Sequence, residues 1–165
     1  MKQLKQLLSA LQVKKYFIES FNFDITPKIL YAKNGLASNH PIFSLDHNIR
    51  KSPAGKEFLV SLFIEFNKDI PKDKRPYNLA IILTGIFEFS DELSKEQTDS
   101  MLLYNAIPLL YTTARPLIKD FTENTPVGGI LIPTLNFKEY FKDKLVATKK
   151  KGKPIRAKQT KGTIW

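Results

Sequence analysis

Residues 16–25 alternate along the chain, with Phe17, Phe21, Phe23 and Ile25 set against Ser20, Asn22 and Asp24. A period of two predicts a half-buried strand, which Pro27 ends. Residues 28–41 carry loop signals in Lys33-Asn-Gly35, Ser38-Asn39 and Pro41, yet they include Ile29, Leu30 and Tyr31. A second strand is expected over Ile42 to Ile49, with Phe43, Leu45, His47 and Ile49 on one side. Ser52-Pro-Ala-Gly55 then leads into a third, Phe58 to Phe66. A polar stretch with Pro71 and Pro76 precedes a fourth, Leu79 to Phe89. The last two are apolar on both faces, which implies cover on both. Four strands in succession with mostly short links predict an antiparallel meander.

The period changes after residue 90. Ser94 and Gln97 have the spacing of a capping box, and Leu103, Ile107, Leu110, Ala114, Leu117, Ile118 and Phe121 recur at helical intervals. Pro108 and Pro116 fall inside this stretch, so a kinked or broken helix is expected. Glycines and prolines bar a helix from residues 125–137, whose apolar content predicts an extended segment lying on other structure. Lys138 to about Ala147 reads as a short closing helix. The fold class is therefore α+β: a four-stranded antiparallel meander, a long helix, an apolar connector and a short helix. Residues 14–147 form the domain, 1–13 an extension with a possible short helix, and 148–165 a basic tail without order.

Charge alters this picture less than its total suggests. The formal charge is +10, but seven of the 26 basic residues lie in 146–165 and four in 1–15, with no acid in either stretch. The body between them is close to neutral. A basic tail contacts phosphates readily, so a small nucleic-acid-binding module is an alternative reading. The strands, however, carry Glu65 and Glu88 and lack basic residues interleaved with their aromatics. Any nucleic-acid contact is expected to belong to the tail.

Candidate chemistry is sparse. There is no cysteine, and the two histidines, His40 and His47, lack metal-ligand spacing. Gly128-Gly129 is followed by no Gly-Lys-Ser/Thr, so it is no phosphate loop. No paired carboxylates and no nucleophile with its base stand out. The expectation is a protein without cofactor or metal, not an enzyme. No segment has the length and apolarity of a membrane span or a signal peptide, which points to the cytoplasm.

The order of elements, together with Gly85-Ile-Phe87, Thr113-Ala-Arg115 and above all Gly128-Gly-Ile-Leu-Ile-Pro-Thr-Leu-Asn-Phe137, resembles the SecB family of protein-export chaperones. The resemblance covers residues 14–145. It implies a homotetramer, a dimer of dimers, that holds unfolded polypeptides without ATP in grooves built from a crossover loop and an apolar connector. On that footing the client-binding residues are Phe23, Ile29, Leu30, Tyr31 and Phe43 around the crossover, with Ile130, Ile132, Leu135, Phe137 and Tyr140 from the connector and closing helix. Asp24 falls where the family holds an acid for the translocase motor SecA, while Ala80 stands where a second would be expected. Relatives of the family protect an antitoxin, so a dedicated client is an alternative to general holding.

Overall fold

The computed structural model describes residues 10–31, 42–53, 55–89 and 93–142. Four strands form one antiparallel sheet: β1 (Leu11–Ile25), β2 (Phe43–Lys51), β3 (Glu57–Phe66) and β4 (Tyr77–Phe89). Their spatial order is β1-β4-β3-β2. The meander thus runs through β2, β3 and β4, whereas β1 lies against β4. The physical reason is the length of the link from Thr26 to Ile42, far beyond the few residues that hold two successive strands together as a hairpin. A single helical turn, α1 (Pro27–Leu30), opens that crossover.

The expected extension is shorter than 13 residues, because Leu11–Val13 already belong to β1. Residues 1–9, and with them the rest of the possible helix, lie outside the described residues, as does the tail 148–165.

Register fixes which side chains share a face. Phe23 stands opposite Leu79, Leu79 opposite Phe66, and Phe66 opposite Phe43, so these four cross the sheet as one row. This face also holds Val60, Leu62, Ile64, Ile81, Leu83 and Phe87, all buried. The opposite face carries half-buried Leu59, Phe63, Ile82 and Ile86 around a buried hydroxyl pair, Ser61 and Thr84, 2.8 Å apart. Glu19 on β1 accepts a hydrogen bond from the Thr84 hydroxyl at 2.8 Å. Neither buried hydroxyl is therefore left unsatisfied.

The helical chain runs unbroken from α2 (Lys95–Met101) through a π-turn (Leu102–Ala106) into α3 (Ile107–Glu123). Ser94 caps it: its hydroxyl accepts from Gln97 N–H, and the Gln97 side chain accepts from Ser94 N–H at 3.0 Å, the expected reciprocal box. The prolines do not break the helix. Pro108 cannot donate to the carbonyl of Tyr104 and crowds it. The chain relieves this just upstream by widening one turn, so that Ile107 N–H reaches Leu102 O five residues back. Pro116 removes the N–H that Thr112 O would receive, at an exposed position where water can serve instead.

The extra residue of the π-turn also shifts the buried stripe. It runs through Leu102, Ala106, Ile107, Leu110, Tyr111, Ala114, Ile118 and Thr122. Phe121, expected in that stripe, is 51% exposed, although its ring stacks on Phe21 at 4.6 Å.

Helix and sheet approach closely at Gly85. A Cβ there would lie 2.6 Å from Phe87 Cε2 and 2.9 Å from Leu110 Cδ2. Tyr111 closes the same interface, its ring 6.3 Å from Phe43. Burial pushes the Tyr111 hydroxyl up to about 12, with the Arg115 guanidinium pulling weakly the other way. An unfolded tyrosine releases its proton near about 10. The folded chain therefore holds this proton more tightly, and the stability linked to it is complete below about pH 10 and lost as pH rises toward 12. Denaturant titrations at rising alkaline pH should show the native chain losing stability more steeply than Tyr111→Phe. Parallel curves would contradict this.

Candidate functional site

The chain divides into two compact units at Ile132 and Pro133. The first holds the sheet, the long helix and the connector as far as Ile132, and it contains most of the residues expected to grip clients. Phe23 is half-buried on the helix-facing side of β1, its ring 6.1 Å from Tyr77. Phe43 is half-buried on the same face of β2 and packs on Phe66 at 5.3 Å. The two mark opposite edges of the sheet at one level. The crossover leaves β1 at this end of the sheet, just after Thr26, and its first apolar residues follow directly. Ile29 is half-buried there, and Tyr31 is 71% exposed. The Leu30 side chain lies outside the described part of the chain.

The connector is extended, and its side chains alternate. Gly128 adopts φ +74°, which lets the chain reverse after the helix. The Thr122 hydroxyl then accepts from Ile130 N–H at 2.8 Å while donating to Ile118 O at 2.8 Å. That bond sets the phase of the connector from Ile130 onward. Ile130 and Ile132 are buried, at 8% and 1% exposure, and Leu131 between them is 72% exposed. Two expected client residues therefore belong to the core, and the side chain the connector offers to solvent is one that sequence reasoning passed over. Alternation within an extended run would have allowed one set or the other, and only the Thr122 latch decides between them.

The second unit, from Pro133, holds Leu135, Phe137 and Tyr140. Phe137 and Tyr140 form an aromatic trio with Phe141, with centroids 5.2–6.1 Å apart. Mutual packing at the start of a helix, spanning residues 137–142, gives these rings a structural role.

Other apolar side chains stand in solvent in the first unit. They are Val13, Tyr16 and Phe17 of β1, Ile42 just ahead of β2, Leu109 and Phe121 of α3, and Tyr104 of the π-turn, all 38–52% exposed. Asp24 is exposed on the sheet face turned away from the helix, and its diagonal neighbour on β4 is Ala80. His47 is half-buried on the helix-facing side of β2, opposite Leu62. His40 lies outside the described residues. Among the described residues no helix is long and apolar enough to cross a membrane.

A family model described as preprotein translocase subunit SecB matches residues 4–148. Among solved structures, the fold is similar to the Mycobacterium tuberculosis Rv1957 SecB-like chaperone in complex with a ChAD peptide from the Rv1956 HigA1 antitoxin. The TM-score is 0.57 at 12% identity, over 82% of this chain and 98% of that one. A protein of unknown function from Streptococcus agalactiae matches with a TM-score of 0.39 at 12% identity, over 75% of this chain and 97% of the other. No curated protein matches.

Proposed function

This chain belongs to the SecB family, chaperones rather than enzymes, and we propose that it holds non-native polypeptides in the cytoplasm by lending them apolar surface at the crossover and the connector. The observation that carries this is the exposure of Tyr31 and Leu131, at 71% and 72%, in two irregular segments of the first unit. A holding surface needs little direction. Covering a leucine or an aromatic ring is worth about 1.5–3 kcal/mol whatever side chain does it. Unfolded chains are selected because folded ones have hidden the groups that would do the covering.

Self-association is part of the same reading. β1 has an open edge, and Val13, Tyr16, Leu109 and Phe121 expose more apolar surface than one copy covers. This supports the homotetramer that the family resemblance implies. Delivery to SecA has thinner support, since Asp24 faces outward beside Ala80 rather than a second acid. A dedicated client, as in the mycobacterial complex with an antitoxin peptide, would use the same surface.

The test is aggregation suppression. Purified protein, without ATP, should slow the clumping of several chemically denatured enzymes, and a permanently unfolded competitor should abolish the effect while a folded one does not. Suppression of none of them would refute general holding, and suppression confined to one partner would favour the dedicated reading.

A further inference from the structure

The turn between β3 and β4 grips both ends of the crossover, and Asn67 is the centre of that grip. Asn67 is buried, 2% exposed, and its φ is +58°. The left-handed backbone has a specific effect on the sheet. Asn67 N–H still donates to Ile42 O at 2.7 Å, as the next rung of the β2–β3 ladder should. The Asn67 carbonyl, however, is swung into the turn, where it accepts from Arg75 Nη1 at 3.1 Å and Ile70 N–H at 3.2 Å. Ile42 N–H would be orphaned by this rotation. It donates instead to the Asn67 side-chain Oδ1 at 3.0 Å, while Nδ2 donates to Tyr77 O at 2.9 Å. Only a residue that tolerates left-handed φ and carries both an acceptor and a donor at this reach can do all of it, and asparagine is that residue.

The other end of the crossover is tied to the same turn. Thr26 N–H donates to Pro76 O at 2.8 Å, and the Thr26 hydroxyl donates to Lys72 O at 3.3 Å. Arg75 stiffens the turn from within by donating also to Ile70 O at 3.4 Å. The chain therefore leaves the sheet at Thr26 and re-enters it at Ile42 against one common anchor.

We propose that Asn67 is a positioning residue for client binding: with Arg75 and Thr26 it sets where the crossover starts and ends, and so how Ile29 and Tyr31 are presented, without touching the client. This rests on the reading of the crossover as client surface. A surface held in place loses less freedom on binding than one that must first be ordered.

The experiment uses the full-length chain and a permanently unfolded probe, reduced and carboxymethylated lactalbumin, with affinity from fluorescence anisotropy. Asn67→Gly keeps the left-handed backbone and removes only the amide. It should weaken probe binding about five- to tenfold, chiefly by faster release, and the Ile42 amide should lose hydrogen-exchange protection. Leu83→Ala, a core truncation away from the clamp, gives a control of lowered stability that should bind as the native chain does. Thr26→Val loosens the other end through an exposed bond and should weaken binding about two- to threefold even if Asn67→Gly folds poorly. Tyr31→Ser tests the surface itself.

If Asn67→Gly and Leu83→Ala weaken binding alike, Asn67 is merely structural and the proposal is overturned. If Asn67→Gly and Thr26→Val bind as the native chain while Tyr31→Ser does not, the crossover is client surface but the clamp does not position it. If Tyr31→Ser also binds normally, the crossover reading falls and the positioning role falls with it.

Discussion

Changing Ile132 to serine will strongly lower the stability of this chaperone, whereas the same change at Leu131 will leave its melting point in place and loosen its hold on clients. Ile132 is 1% exposed. Removing its side chain loses the transfer free energy of the apolar atoms, leaves a cavity, and buries a hydroxyl with no arranged partner. Together these cost about 3–5 kcal/mol. Domains are commonly stable by only about 5–15 kcal/mol, so this is a large share. Leu131, at 72% exposure, has little native packing to lose. If it is covered by client, its replacement removes about 1.5–3 kcal/mol of binding, roughly tenfold or more in affinity. Denaturant melts combined with probe binding decide the matter. An Ile132→Ser variant that melts like the native chain yet fails to bind would mean that the connector presents its other side.

The second large effect is expected at Gly85. Any Cβ there meets Phe87 and Leu110 at less than 3 Å, and both side chains are buried, so neither gives way without disturbing its own packing. Gly85→Val should cost about 3 kcal/mol or more, since overpacking forces helix and sheet apart. Truncating one obstacle ought to return part of the loss. The double variant Gly85→Ala with Leu110→Ala should be less unstable than its two single changes predict, a coupling that a melting-based double-mutant cycle measures. Strict additivity would show that the close approach is not what excludes larger residues.

The strands and the long helix were legible because their signals are local. Alternation from Phe21 to Ile25 and the Ser94–Gln97 box each needed only neighbours a few residues away, whereas the bulge between Ile18 and Ser20 turns Phe17, expected beside Phe21, to the opposite face. The order of the strands was not, because whether β1 turns back on β2 or crosses to β4 depends on how a long link is anchored. The anchors are Asn67 and Thr26, whose partners lie 25 and 46 residues away. The outward side of the connector was hidden in the same manner. Apolar content located the connector as a segment, but which side chains face outward hangs on one hydroxyl, that of Thr122, eight residues before Ile130. Pro108 misled for the opposite reason. Its local signal was correct, and the chain absorbed it by widening a turn instead of breaking the helix.

The open edge of β1 has one further consequence, rooted in its irregular pairing. The register slips between Val13 and Lys15 and again between Ile18 and Ser20, so the strand is regular only over Leu11–Val13, Lys15–Ile18 and Ser20–Ile25. A protein that spends its life among sticky, extended chains risks seeding a fibril from its own border. Fibril growth wants a flat template of about six or seven residues in phase. Each bulge twists the border and resets which side chains point up. Only a strand with matching interruptions, such as another copy of β1, could lie along its whole length.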